Sequence, residues 1–165
     1  MTLLLGIDPG SHNTGYGLID KGDDIRCVDF GVIVANPDWP FEKRLAFMGE
    51  ELDRVLTSYQ PNIVVTEDVF TAKNIKSSLH LAHIRGVVLY KAYMAGAEIH
   101  HYAAKAVKKG VTGNGNASKD QVALLLQNIL NTQIHVNKLD ATDALALAYY
   151  HASKMDILRR FGAQV

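Results

Sequence analysis

The chain has 165 residues, 48% hydrophobic and 21% charged, with four Pro, which is one ordinary domain with a real core and excludes a disordered chain. A single cysteine, Cys27, excludes a disulfide framework and any multi-cysteine zinc module, and suits a reducing compartment. The 17 basic and 17 acidic residues cancel to a net charge of zero, which on its own argues against a polyanion partner.

In chain order, Leu3 to Ile7 is a short apolar run stopped by the turn signal Asp8-Pro9-Gly10, a strand rather than the apolar part of a secretory signal. Thr14 to Asp20, with Gly15 and Gly17, is a second strand. Lys21 to Asp24 turns the chain, and Ile25 to Val34 is a third. The tight connections predict an antiparallel meander. From Phe41 to Tyr59 the period changes, with Leu45, Met48, Leu52 and Tyr59 on one helical face. Pro61 stops that helix. Ile63 to Thr66, bounded by Glu67-Asp68, is a fourth strand, which a helical crossover should set parallel to an earlier one.

Ser77 to Ala95 is a long helix whose later half is apolar nearly all round, the pattern of a helix fully buried or covered by a second subunit. Ala97 to Tyr102 is a fifth strand, and Ala103 to Lys109 a short helix running into a glycine-rich loop, Gly110 to Ala117. Ser118 and Gln121 form a capping box, with Val122, Leu125, Leu126 and Ile129 as the buried stripe. Asp140 opens a last helix to about His151, and the tail after Lys154 is expected to fray. The order predicts an α/β fold with a mixed sheet flanked by helices: a single domain over 1–154 and a short C-terminal tail, 155–165. No run approaches the ~18 apolar residues of a membrane span. A soluble, cytoplasmic protein is the expectation.

The zero net charge hides a split. Residues 1–72 carry five Lys/Arg against twelve Asp/Glu, and residues 73–119 carry eight Lys/Arg against Glu98 alone. Such asymmetry is the pattern of a polyanion-binding surface beside an acidic region, although solvated lysines on helix faces give the same count.

Four carboxylates stand out. Asp8 and Glu67 each end an apolar strand; if the first and fourth strands pair, both reach the sheet edge where open α/β sheets bind ligands. Asp140 and Asp143 share one face at a helix start. Four converging carboxylates would repel one another unless oxygen-ligated divalent cations such as Mg²⁺ lay between them, and two such ions could activate water against a phosphodiester. Each residue also has a plainer reading: Asp8 shaping a turn, Glu67 a solvated strand end, Asp140 an N-cap, and Asp143 answering the helix dipole.

Gly6-Ile7-Asp8-Pro9-Gly10-Ser11 with Thr14-Gly15-Tyr16-Gly17, then Glu67-Asp68-Val69-Phe70, Ala72-Lys73-Asn74, Ser77, Ser78 and Arg85-Gly86-Val87, form a series. Val111-Thr112-Gly113-Asn114-Gly115, Lys119 and Asp140-Ala141-Thr142-Asp143-Ala144-Leu145-Ala146 complete it. In this order the series resembles the RuvC family of crossover junction endodeoxyribonucleases over essentially the whole chain. The resemblance implies a ribonuclease H-like fold with a five-stranded mixed sheet, and Asp8, Glu67, Asp140 and Asp143 as the catalytic, metal-binding carboxylates. It also implies a homodimeric DNA endonuclease that resolves four-way (Holliday) junctions in recombination and repair. Two Mg²⁺ ions per site, with Mn²⁺ able to substitute, and the branch-migration partners RuvA and RuvB belong to the same expectation.

Around that site, Lys105, Lys108, Lys109 and Lys119 flank the glycine-rich loop, where backbone N–H groups and ammonium groups suit phosphate. The resemblance ties Lys108 and Lys119 to DNA binding and activity, and Phe70 to base stacking. Lys73, Asn74 and Lys76 would lie along the same surface; a solvated loop and an apolar cap are the plainer alternatives. The chain has His12 where the family commonly has a basic residue. His80 and His83 share a helical face without an evident third metal ligand. Two other readings stay open: a related nuclease acting on RNA or damaged duplex, and a non-catalytic DNA-binding protein. An actin-like ATPase would need a second lobe for which 165 residues leave no room.

Overall fold

Short apolar runs and tight turns set β1 (Thr2–Asp8), β2 (Asn13–Lys21) and β3 (Ile25–Val34) as the expected antiparallel meander, with β1 and β2 buried on both faces. The structure is a computed structural model and describes residues 1–68, 75–133 and 139–161. Helix α1 (Phe41–Tyr59) ends at Gln60 in the left-handed conformation, and β4 (Ile63–Glu67) follows, parallel to β1. Helix α2 (Ile75–Met94) leads to β5 (Glu98–Tyr102), parallel to β4. The sheet order is β3-β2-β1-β4-β5, the five-stranded mixed sheet expected.

Alternate residues of the central strands feed two cores. Leu5, Ile7, Leu18 and Val64 pack with Leu52 and Leu56 of α1 and Val88 and Ala92 of α2. Leu4, Ile19, Ile63 and Val65 face the other way, against α3 (Ala104–Thr112), α4 (Lys119–Ile129) and α5 (Leu139–Phe161). Cys27 lies partly buried against this second core.

Three expectations need correction. Helix α3 runs on to Thr112, where a loop from Gly110 was expected; a methyl at Gly110 would collide with the Tyr150 ring, so this glycine serves helix packing rather than a turn. The loop begins at Gly113, in the left-handed conformation. On α4 the capping box is present, but only Val122 and Leu126 are buried, while Ile129 is 43% exposed. Helix α5 continues to Phe161 rather than ending near His151, and the buried Lys21 on β2 holds it through a 2.9 Å ion pair with Asp156.

Candidate active site

The site follows from strand alternation and a seam of glycines. On β1 the side facing α5 carries Leu4, Gly6 and Asp8; on β4 it carries Ile63, Val65 and Glu67. The last parallel pair is Ile7 with Thr66, so Asp8 and Glu67 follow as the next residue of each strand and leave the sheet on the same side. Across β1, Asp8 is paired with Gly15 and Gly6 with Gly17. A methyl at Gly6 or Gly15 would meet the carbonyl oxygens of Ala144 and Asp140 far inside the 3.0 Å that real side chains respect. These positions let α5 rest its small face, Ala141, Ala144 and Ala148, directly on the strands. That seating delivers Asp140 and Asp143, in its first turns, to Asp8.

Carboxylate oxygens of Asp8, Asp140 and Asp143 lie within 4.8 Å of one another. Glu67 stands outside this trio but shares with Asp8 and Asp143 a cleft of about 220 Å³, which Lys108 and Lys119 also line. Burial, then the charges of Asp143 and Glu67, push the Asp8 carboxyl up to about 7. Burial, then Asp143, also raises Glu67, with Lys119 and Lys108 opposing. Lys119 bonds Asp143 and lies 3.9 Å from Asp140. Burial disfavours its charge, but the Asp143 bond and the attraction of Asp143, Asp8 and Asp140 outweigh this and hold the ammonium above its ordinary value. A hard, all-oxygen donor set, one member of which burial and then the neighbouring charges raise to about 7, fits a divalent cation of the Mg²⁺ kind.

Comparison with known proteins decides the family. The chain matches the family profile of crossover junction endodeoxyribonuclease RuvC over residues 4–151. It is 43% identical over 154 residues to that enzyme from Bdellovibrio bacteriovorus, covering 93% of this chain and 91% of the relative. With the Citrifermentans bemidjiense protein the identity is 41% over 156 residues, 94% of each. The chain belongs to the RuvC family. Thermus thermophilus RuvC in complex with a Holliday junction substrate superposes with a TM-score of 0.86 at 28% identity, over 95% of this chain and 96% of the other. The yeast mitochondrial resolvase Ydc2, 12% identical with a TM-score of 0.66 over 96% and 83%, shares the fold. The ribonuclease H-like fold is therefore that of RuvC and its neighbours.

Of the basic residues read from the sequence, two of those described line the RuvC carboxylate cleft: Lys108 on α3 and Lys119 in the first turn of α4. Lys105 and Lys109 are exposed on α3, where Gly115 packs beside them. Lys76 is exposed in the first turn of α2. Phe70, Lys73 and Asn74 lie outside the described residues. His80 stacks on Phe41 of α1 at 4.0 Å, with His83 edge-on at 5.8 Å, so their shared face is a packing face between α1 and α2. His12 is exposed, 3.1 Å from the Ser11 hydroxyl.

Sequence reasoning assigned no role to Arg85, which lines a second cleft beside Asp8 and Glu67. Its signal was an arginine in the middle of a largely apolar helix.

Lys119 yields a prediction. Lys119→Met in chelator and low salt should lower the melting temperature by about 2–4 °C, because the acids lose their cation. Calorimetry without DNA should show divalent-cation affinity rising about tenfold, because a competing positive charge is gone. Weaker metal binding in this variant would mean that Lys119 supports the site rather than occupying its charge.

Proposed function

We propose that this RuvC-family chain cuts four-way DNA junctions with Asp8, Glu67, Asp140 and Asp143 as the ligands of two Mg²⁺ ions, Mn²⁺ being able to substitute. The observation that carries the proposal is the gathering of Asp8, Asp140 and Asp143 at the carboxyl ends of two adjacent parallel strands, with Glu67 alongside. Divalent cations bound there would supply an activated water and neutralise the oxygen that leaves the scissile phosphorus. Lys119 and Lys108 then face the strand being cut and neutralise its phosphates. Lys105, Lys109 and Lys76 extend the DNA surface, and Phe70, Lys73 and Asn74 are DNA contacts in the same reading. Residues 1–154 carry this nuclease domain, with 155–165 as a C-terminal extension, and the setting is cytoplasmic.

A junction has two-fold symmetry and each site cuts one strand, so paired cuts call for a two-fold dimer. The later half of α2 supports one: Tyr90, Tyr93 and Met94 are 61%, 76% and 64% exposed in the single chain. RuvA and RuvB are the branch-migration partners in this reading. Tyr93→Arg is expected to sediment as a monomer and to lose paired cuts while remaining folded. A dimeric Tyr93→Arg protein would move the interface elsewhere.

The deciding experiment is cleavage of a mobile four-way junction beside a matched linear duplex, with Mg²⁺ and with chelator. Symmetric, Mg²⁺-dependent nicks near the crossover are expected. Equal cutting of both substrates would keep a nuclease and remove junction selectivity; binding without any cut would leave a DNA-binding protein.

A further inference from the structure

The carboxylates are bordered by clefts on two sides. The α3–α4 side carries Lys108 and Lys119. The α2 side opens into a cleft of about 230 Å³ lined by Asp8, Pro9, Glu67, Asp68, Ser78 and Arg85, among others. Arg85 is the one cation among the described lining residues. Three carboxylates share that cleft, yet the described bonds of Arg85 go to neutral acceptors. Its Nε donates to the main-chain oxygen of Glu67 at 3.3 Å, and a terminal nitrogen lies 3.2 Å from His101 Nδ1 on β5. Burial, then the charge of Arg85 itself, holds His101 below its ordinary value, and the neutral ring accepts at Nδ1 in its Nε2–H tautomer. A guanidinium has five N–H donors, so up to three remain for a ligand in the cleft.

We propose that Arg85 binds a backbone phosphate next to the scissile one, on the α2 side of the carboxylates, while the same guanidinium holds the end of β4 that carries Glu67. This deepens the endonuclease reading and rests on it. The ligand chemistry is a phosphodiester because a strand anchored by Lys108 and Lys119 on one side of the carboxylates must carry its next phosphates across the site, and Arg85 is the cation in the cleft they would meet. A planar fork that meets a carbonyl, an imidazole and a phosphate oxygen together is a task for Arg and not for Lys.

The test uses the full chain as wild type, Arg85→Gln and Arg85→Lys, with thermal unfolding as the folding control. Junction binding is titrated across salt in chelator, single-turnover cleavage is followed in Mg²⁺, and both use junctions with one neutral methylphosphonate at each phosphate flanking the cut. Arg85→Gln should reduce the salt slope of log K by about 2, one contact for each protomer of the dimer, and the cleavage rate by roughly 10²-fold. One methylphosphonate should weaken wild-type binding by roughly tenfold and cost Arg85→Gln nothing further. Arg85→Lys should keep that slope and that sensitive position but lose most of the rate.

An unchanged slope in Arg85→Gln, or equal methylphosphonate penalties in it and wild type, overturns the phosphate contact. A wild-type rate in Arg85→Lys overturns the hold on β4. Should Arg85→Gln fail to fold, wild type and Arg85→Lys carry the comparison, and the absence of any sensitive phosphate in both overturns the proposal. If wild type binds but never cuts, the nuclease reading fails, while the binding arm in chelator still decides the fate of Arg85.

Discussion

Asp8→Asn is expected to make the metal-free protein more heat-stable at pH 8 and, in the same variant, to remove junction cleavage. In the unfolded chain the Asp8 carboxyl ionises near 3.8; in the folded protein burial, then Asp143 and Glu67, raise it to about 7. Between those values the folded state binds more protons than the unfolded one. Metal-free stability therefore falls as the pH rises from about 4 to about 7 and stays reduced above. Asn carries no charge and escapes this loss. The displacement sets a ceiling of about 4 kcal/mol. With Lys119 opposing it and solvent reaching the cleft, a gain of about 3–6 °C in melting temperature at pH 8 in chelator is expected. Near pH 4 the two proteins should melt together. Millimolar Mg²⁺ should reverse the order, because only wild type keeps the full ligand set and gains stability from binding. Cleavage should fall roughly 10³-fold, the equivalent of about 4 kcal/mol of lost charge stabilisation. A lower melting temperature for Asp8→Asn at pH 8 in chelator would show that Asp8 is not held against repulsion.

Gly15→Ala is expected to disable the site without touching any carboxylate. Gly15 is paired with Asp8 on the neighbouring strand, and a methyl there would occupy the space of the Asp140 carbonyl. Either β2 bends or the start of α5 lifts, and lifting carries Asp140 and Asp143 away from Asp8. Overpacking of this kind costs about 1–3 kcal/mol, or about 3–10 °C for a chain of this size. Divalent-cation affinity should weaken at the same time, and cleavage should fall at least roughly 10²-fold. Gly22→Ala is the control: its methyl would meet only the Asp24 carbonyl, at 4.0 Å, and should change neither stability nor cutting. A Gly15→Ala protein with normal metal affinity would mean that α5 can shift without disturbing its acids.

Asp8, Glu67, Asp140 and Asp143 could be picked out by residue type and place. The convergence of Asp8 and Glu67 needed only the inference that a helical crossover makes the fourth strand parallel, and β4 does pair with β1 that way. What stayed hidden was carried by atoms that are not there. Gly15 and Gly17 read simply as members of the second strand and Gly110 as a loop signal, yet all three make room for another element: α5 over the first two, the Tyr150 ring over the third. Which residue will need that room is a fact about partners far along the chain. The same limit explains α5, whose second half is held by Lys21 from the second strand, and Arg85, whose partners Glu67 and His101 lie on two different strands. Local periodicity also over-filled α4, since Leu125 and Ile129 suit a buried stripe but are only partly covered, at 36% and 43% exposed.

The closed cap at the start of α4 has a consequence for timing. Ser118 accepts from the Gln121 amide while the Gln121 side chain accepts from the Ser118 amide, so the backbone beneath Lys119 has both of these donors satisfied and little reason to move. The proposed transfer of the Lys119 ammonium from Asp143 to an incoming phosphate would then need only rotations along its own stem, which take picoseconds to nanoseconds, rather than a loop rearrangement lasting microseconds or longer. On this side of the site, arrival of a cation meets no slow gate, and its observed rate should rise in proportion to cation concentration as a single exponential without a plateau.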